Sequence, residues 1–289
     1  MAAITPTPGT PGTPRRVRPG QAALHAVLLL GGLAMLFPFV WMLLTSFKGV
    51  HQMINNPLDW LPDPWRPQNY PDALGKMPFG RAYWNSLYIA VVTVALTLLT
   101  SAMAAYAFAR IRFRGSGVLF VLFLATQMVP IQVTLVPLYL MLARIGLVDS
   151  HLALILPAVA NPFAVFLLRQ FIRAVPVELE EAARIDGAGR FRIFWSVVLP
   201  NIRPGLGALG IITFLTSWNS FLMPLVFLNT EELATLPLLL QRFSGEHGAV
   251  EYGLILAASA IAVVPTLIAF LIGQRRIINS MAASGLGGR

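Results

Sequence analysis

The sequence contains no cysteine, which excludes disulfides, thiolate metal sites, cysteine nucleophiles and palmitoylation together. Charge is nearly as scarce. Asp, Glu, Lys and Arg make up 11% of the 289 residues, where a soluble domain carries about 25%. Acidic residues are the rarer sign, 12 against 21 Lys and Arg, for a formal net charge of +9. A chain that is 56% hydrophobic has too few charges to cover a water-facing surface of its size, which argues against a soluble enzyme and against general disorder. No GxxxxGK[ST] phosphate loop and no HExxH pair occurs, so neither ATP hydrolysis nor zinc hydrolysis is expected of this polypeptide. Its four histidines, His25, His51, His151 and His247, are scattered at the ends of apolar runs or between them.

What is present is a set of long stretches without Asp, Glu, Lys or Arg: Pro19–Phe47, Ala82–Ala109, Gly115–Ala143, Ser150–Leu168, Pro204–Thr230 and Tyr252–Gln274. Crossing a hydrocarbon core takes about 20 helical residues, and backbone groups in lipid must pair within their own segment. The expectation is an all-α integral membrane protein with six transmembrane helices, at about 23–47, 86–109, 117–142, 151–170, 205–229 and 253–274. Prolines within these runs, among them Pro130, Pro137, Pro157 and Pro162, are read as ordinary kinks or as bends that shape a pathway.

Lys and Arg divide unevenly between the two sides, with 15 on the side of the termini and 6 on the other, which together make the 21 of the composition. The positive-inside rule then places both termini in the cytoplasm of a multi-pass protein of the cell (inner) membrane. This asymmetry accounts for the basic charge without nucleic acid. Residues 1–20, rich in Pro, Thr and Gly, read as a disordered cytoplasmic tail. The run after it is too long for a signal peptide and reads as an anchor. Residues 277–289 read as a second cytoplasmic tail. Outside, Trp60 and Trp65 stand among prolines where a rigid docking surface is plausible, and Glu231–Glu251 is long enough to reach toward an external partner.

One cytoplasmic loop, within 173–203, is too long for a simple connection. Pro176 suits the first turn of a helix, and Glu178, Glu180 and Glu181 favour its positive end. Glu180 and Arg184 stand at i,i+4. Leu179, Ala182, Ala183 and Asp186 share a face small enough for another backbone to approach. Gly187 ends that helix. A second helix follows, with Phe191, Phe194, Trp195 and Val198 on one face along the membrane interface. The loop is thus expected to be a helix–turn–helix projecting from the bundle.

Glu181-Ala182-Ala183, three residues, Gly187, nine residues, then Val197-x-Leu199-Pro200 resembles the EAA signature of binding-protein-dependent ABC importer permeases, EAA-x3-G-x9-I-x-LP. The departure is Val197 in place of Ile. The extension through Ala188 is similar to the carbohydrate branch, as in the second permease subunit of maltose-type systems.

The resemblance implies a type I ABC importer permease fold in the domain 21–276, with the loop acting as a coupling helix seated in a cytoplasmic ATPase subunit. Glu181 would pair with a basic group there, Ala182 and Ala183 would give close packing, and Gly187 would permit the turn. Asp186 and Ala188 belong to the same motif, while Phe194, Leu199 and Pro200 would hold the loop to the bundle. It further implies two ATPase subunits carrying ATP and Mg, a second permease subunit and an external solute-binding protein, with no cofactor or metal on this chain.

Within the spans no charged residue stands at mid-membrane depth, which weighs against an ion-coupled carrier. Gln127, Gln132, Asn161 and Asn219, with Trp218 adjacent, are read either as helix–helix hydrogen-bonding groups or as contacts to sugar hydroxyls along a pathway. The same architecture for a polyamine, amino acid or phosphate, or a non-transport membrane scaffold, remains open at this point.

Overall fold

A computed structural model describes residues 19–247 and 251–286, with side chains from 23 to 244 and from 251 to 273. In chain order the helices are α1 (Pro19–Ser46), α2 (Val50–Asn55), α3 (Asn69–Lys76), α4 (Phe79–Arg110), α5 (Ser116–Ala125), α6 (Ile131–Arg144), α7 (Leu152–Val159), α8 (Pro162–Ala174), α9 (Val177–Ile185), α10 (Arg190–Ile193), α11 (Leu199–Asn201), α12 (Arg203–Trp218), α13 (Leu222–Phe227), α14 (Leu236–His247) and α15 (Tyr252–Leu286). No strand occurs among the described residues. The expected N-terminal tail lies outside them apart from Pro19 and Gly20, which open α1. The expected C-terminal tail continues α15 as far as Leu286.

Three helices, α1, α4 and α15, are each long and apolar enough to cross a membrane unaided, and the count rises to six if each bent pair is one span. The bends fall inside runs that the sequence reads as continuous. The third run turns by 100° between residues 128 and 131, and the fourth by 42° between Val159 and Pro162. Pro130 and Pro162 stand at these corners, where a missing N–H and a restricted preceding residue end a helix. The fifth run is not one helix to residue 229: α12 stops at Trp218, and α13 starts at Leu222. At its other end α12 leaves the 190–201 segment through a corner of 77°.

α4 is the spine, packing against α8, α12 and α7, while α12 also packs on α15, and α15 on α1 and α3. The small residues on α4 (Ala90, Ala102 and Ala105, all buried) let its neighbours come close without an apolar driving force in lipid. α1 behaves differently, since its apolar 18-residue stretch buries nothing within the chain, and burial begins at Thr45 and Ser46 at its end. It leans on α15 and exposes Leu28, Leu29, Leu30, Met35 and Phe37 to its surroundings.

The end of the bundle that the charge asymmetry places outside departs from expectation at one place. Instead of reaching out, the described part of this stretch, residues 231–247, folds back through α14 (Leu236–His247), with Leu236, Leu238, Leu239 and Phe243 buried in the bundle. Asn85 on α4 secures its start by donating to the carbonyls of Glu232 and Ala234. In the loop between α1 and α4, Trp60 and Trp65 remain exposed. The loop is fastened by Lys48, which is buried, donates to the carbonyl of Asp59 at 2.5 Å and lies 4.6 Å from the Trp41 ring.

Candidate functional site

The 176–200 loop is built as two helices at the end of the bundle. Pro176 stands just before the first turn of α9, one residue earlier than the sequence suggests. Gly187 adopts φ +83° beyond the C-cap Asp186, its N–H reaching the carbonyl of Arg184, while the N–H of Ala188 reaches that of Ala183. That pair of bonds is a Schellman motif, and it requires the left-handed conformation that glycine adopts without strain.

Glu180 corrects the expected i,i+4 pair with Arg184. Its side chain is 3% exposed and turns inward to Arg110, the last residue of α4, with Nε to Oε1 at 2.5 Å. The same guanidinium donates through Nη2 to the carbonyls of Ile172 and Val175 at 2.8 and 2.6 Å. These carbonyls lie at the C-terminal end of α8, where that of Ile172 also accepts from the N–H of the C-cap Val175. The Tyr106 hydroxyl donates to the other oxygen of Glu180 at 3.5 Å. One charged pair therefore ties together the ends of α4 and α8 and the first turn of α9.

The motif residues divide by face. Ala183, Ala188, Val197 and Leu199 pack against the core that contains Ile193, Phe194, Val198 and Ile202. Glu181, Ala182 and Asp186 are exposed and Pro200 is half-buried. Ile185, at the tip, is 87% exposed. So the face expected to be shared by Leu179, Ala182, Ala183 and Asp186 is split, with Ala183 turned inward. The expected face of Phe191, Phe194, Trp195 and Val198 is split as well. Residues 194–198 form a π-helical turn, which shifts the phase: Phe194 and Val198 are buried, Phe191 and Trp195 exposed. π-turns of this kind recur at functional sites.

The second candidate region is a cavity of about 300 Å³ among α4, α7, α12, α13 and the segment before α14. Its polar lining is Ser86, Thr93, Asn161, Thr213, Thr216, Ser217, Ser220 and Thr235, and no charged side chain takes part. Thr93, Thr213 and Thr235 are 2%, 7% and 4% exposed, and none of their hydroxyls has a hydrogen-bond partner among the described residues. Ser86, by contrast, accepts from the N–H of Leu236 at 2.8 Å, and Thr216 donates to its own helix at Ile212.

Only Asn161 among the five expected pathway residues lines this cavity, and its Oδ1 also caps α8 by accepting from Ala164 N–H. Gln127 and Gln132 are exposed on either side of the sharp corner before α6. Asn219 is exposed and donates to Leu215 of its own helix. Trp218 does not offer a stacking surface. It is buried between Phe214 and Tyr83, with its indole N–H on the carbonyl of Ala262. The three threonines were not singled out by sequence because a membrane threonine ordinarily bonds its own helix, as Thr100 does. Among the described residues no cluster of three His, Asp or Glu side chains is close enough to hold a metal ion.

Comparison with known proteins follows the same elements. Residues 97–281 match the family described as binding-protein-dependent transport system inner membrane component. The diacetylchitobiose uptake system permease protein NgcG of Streptomyces coelicolor is 37% identical over 266 residues, covering 90% of this chain and 87% of that protein. The arabinooligosaccharides transport system permease protein AraQ of Bacillus subtilis is 34% identical over 271 residues, covering 93% and 96%. In fold, the chain superimposes with a TM-score of 0.80 at 23% identity on a chain of a bacterial ABC transporter involved in the import of the acidic polysaccharide alginate, covering 92% of this chain and 99% of that one. The family match runs from the middle of α4 through the projecting loop and into α15, and on that ground this chain belongs to the inner membrane components of binding-protein-dependent transport systems, the permease subunits of ABC importers.

Proposed function

We propose that this permease carries a neutral sugar or oligosaccharide. An external binding protein delivers the solute, a second permease completes the pathway, and two cytoplasmic ATPase subunits supply the work. Both termini then lie in the cytoplasm, and ATP and Mg are held by the partners with no cofactor on this chain. The observation that carries this reading is the two-sided build of α9. Its outer side leaves Glu181, Ala182 and Ile185 exposed, while its inner side is bolted through Glu180 to Arg110. A displacement applied to the outer side passes to the ends of α4 and α8, and through the buried Ile193, Phe194, Val198 and Ile202 to α12. Since α4 and α12 both line the hydroxyl-bearing cavity, the loop and the cavity share two rigid elements. ATP-driven closure of the partners would bias a two-state equilibrium of those helices.

The solute class rests on the cavity chemistry together with the relatives, whose names describe diacetylchitobiose and arabinooligosaccharide uptake. Unpartnered hydroxyls suit a ligand that both donates and accepts hydrogen bonds. A lining without charge disfavours a polyamine, an amino acid or phosphate, each of which would leave a buried charge unpaired.

The test is Glu181→Lys in the assembled complex. Uptake should fall to background and the ATPase subunits should be lost on purification, while the permease keeps its unfolding midpoint because Glu181 is exposed. Wild-type uptake by this variant would overturn the coupling role.

A further inference from the structure

A second charged feature lies beside the coupling loop and shares only Arg110 and Val177 with it. Arg110, Arg112, Arg114, Arg169 and Arg173 line one open pocket of about 740 Å³, formed by the end of α4, the turn into α5 and the last turns of α8. Two stretches far apart in sequence meet there, so the cluster is a product of the fold. Arg110 is committed to Glu180 and to two carbonyls. Arg169 donates to the carbonyl of Phe108 and lies 4.1 Å over the Phe120 ring. Arg112, Arg114 and Arg173 have neither an ion pair nor a hydrogen bond among the described residues. No carboxylate lines the pocket.

Cations gathered at one place repel one another and are held together more easily when an anion joins them. The neighbouring surface suggests which anion. α5 leaves this pocket with Val118, Leu119, Val121 and Leu122 exposed, and Phe113 stands exposed at the rim. A ligand that fits both features has a phosphate at one end and hydrocarbon at the other.

We propose that this pocket binds the phosphate headgroup of an anionic phospholipid, with the acyl chains lying along α5. Basic pockets between membrane helices on the cytoplasmic side recognise such headgroups. Guanidinium groups match phosphate oxygens in bidentate fashion. The inference rests on the membrane location of the chain and not on which solute it carries. Because Arg110 belongs to both the pocket and the joint with Glu180, a bound headgroup would stiffen the root of the coupling loop.

The test compares the intact transporter in nanodiscs of phosphatidylglycerol with phosphatidylcholine against phosphatidylcholine alone, and measures phosphatidylglycerol retained after delipidation. A double variant, Arg112→Gln with Arg173→Gln, is compared with Arg112→Lys with Arg173→Lys, with helix content checked by circular dichroism. Wild type should retain phosphatidylglycerol at least tenfold better than the Gln variant, at about fivefold per arginine, and the Lys variant should recover part of the loss. A phosphatidylglycerol-dependent rise in unfolding midpoint should accompany retention. Equal retention by wild type and Gln variant overturns the proposal. So does reproduction of the midpoint shift by inorganic phosphate in phosphatidylcholine alone, since the hydrocarbon would then be irrelevant. Loss of the ATPase subunits from the Gln variant in both lipid mixtures, with retention unchanged, would assign the arginines to a protein contact instead.

Discussion

Glu180 at the root of the loop and Thr213 in the cavity are both polar side chains sealed inside an apolar bundle, and the structure treats them in opposite ways. Glu180 meets a guanidinium and a phenol, and its guanidinium partner satisfies two further carbonyls. The Thr213 hydroxyl meets nothing, and Thr93 and Thr235 repeat the pattern around the same space. A buried hydroxyl left unsatisfied costs about 1–3 kcal/mol. Three around one cavity are costly to stability and useful to binding. The fully paired region is a joint that transmits displacement, and the unpaired region is a surface prepared for hydrogen bonds to a guest.

The largest expected effect comes from breaking the joint. Glu180→Ala leaves Arg110, whose side chain is 13% exposed, without its counter-ion, which costs at most about 3–5 kcal/mol, measurable as a lowered unfolding midpoint in detergent. Replacing both partners, Arg110→Met with Glu180→Leu, should recover much of that loss because neither charge then remains buried. Uptake should stay low in the double variant, since Arg110 also holds the carbonyls of Ile172 and Val175. If the double variant is no more stable than Glu180→Ala, the pair is not the element that holds α9 to α4.

Gly187 tests the same joint from the backbone. A Cβ added there would meet nothing within 4 Å, so any cost of Gly187→Ala comes from the left-handed φ of +83° alone. That cost is about 1–2 kcal/mol, read as a midpoint shift with the ATPase interaction weakened. Gly187→Asn should cost less, because asparagine visits this conformation more readily. Equal losses for Ala and Asn would mean that the helix end has another determinant.

How much of this was legible in the sequence follows from the kind of signal each region carries. Charge-free runs announce membrane helices because the bilayer imposes a length on them. The turn at Gly187 was legible because one residue type suits one backbone conformation. The joint was not, since Arg110 reads only as one more basic residue at a span end until α4 is seen to stop beside α9. The inward turn of Ala183, and the separation of Phe191 and Trp195 from Phe194 and Val198, depend on packing and on a π-turn that helical spacing does not encode. The cavity was least legible. Its three threonines come from α4, α12 and the segment before α14, and no periodicity links positions 93, 213 and 235.

Breaking the unpaired region should have the opposite sign from breaking the joint. Thr213→Val keeps the shape and removes the hydroxyl. The unfolding midpoint should hold or rise, while one hydrogen bond to solute, worth about 1 kcal/mol, is lost as a roughly fivefold rise in the transport KM with kcat maintained. A fall in stability with unchanged KM would make Thr213 a structural residue and would remove the contrast with Glu180.

The smallest effect separates burial from pairing. Asp149, in the short turn between α6 and α7, is as well bonded as Glu180: it accepts from the N–H groups of Asn229 and Thr230 at 2.9 Å and from the Thr230 hydroxyl at 2.5 Å. The Thr230 hydroxyl first, then the Thr230 and Asn229 N–H groups, hold its carboxyl below the ordinary value. A carboxylate more acidic in the folded than in the unfolded chain adds stability that is complete above about pH 4. That stability fades as the pH falls through the lowered folded value. Because Asp149 is only half-buried, water competes for the same bonds and the contribution should not exceed about 1 kcal/mol. Asp149→Asn keeps a residue that tolerates the φ of +60° and removes the charge, so it should flatten the acid limb of the stability–pH curve by lowering the neutral plateau, by no more than about 1 kcal/mol, while leaving stability at acid pH nearly unchanged. Were the loss at neutral pH as large as that of Glu180→Ala, pairing alone would set the value of these carboxylates, and the burial of Glu180 would not be what makes it a joint.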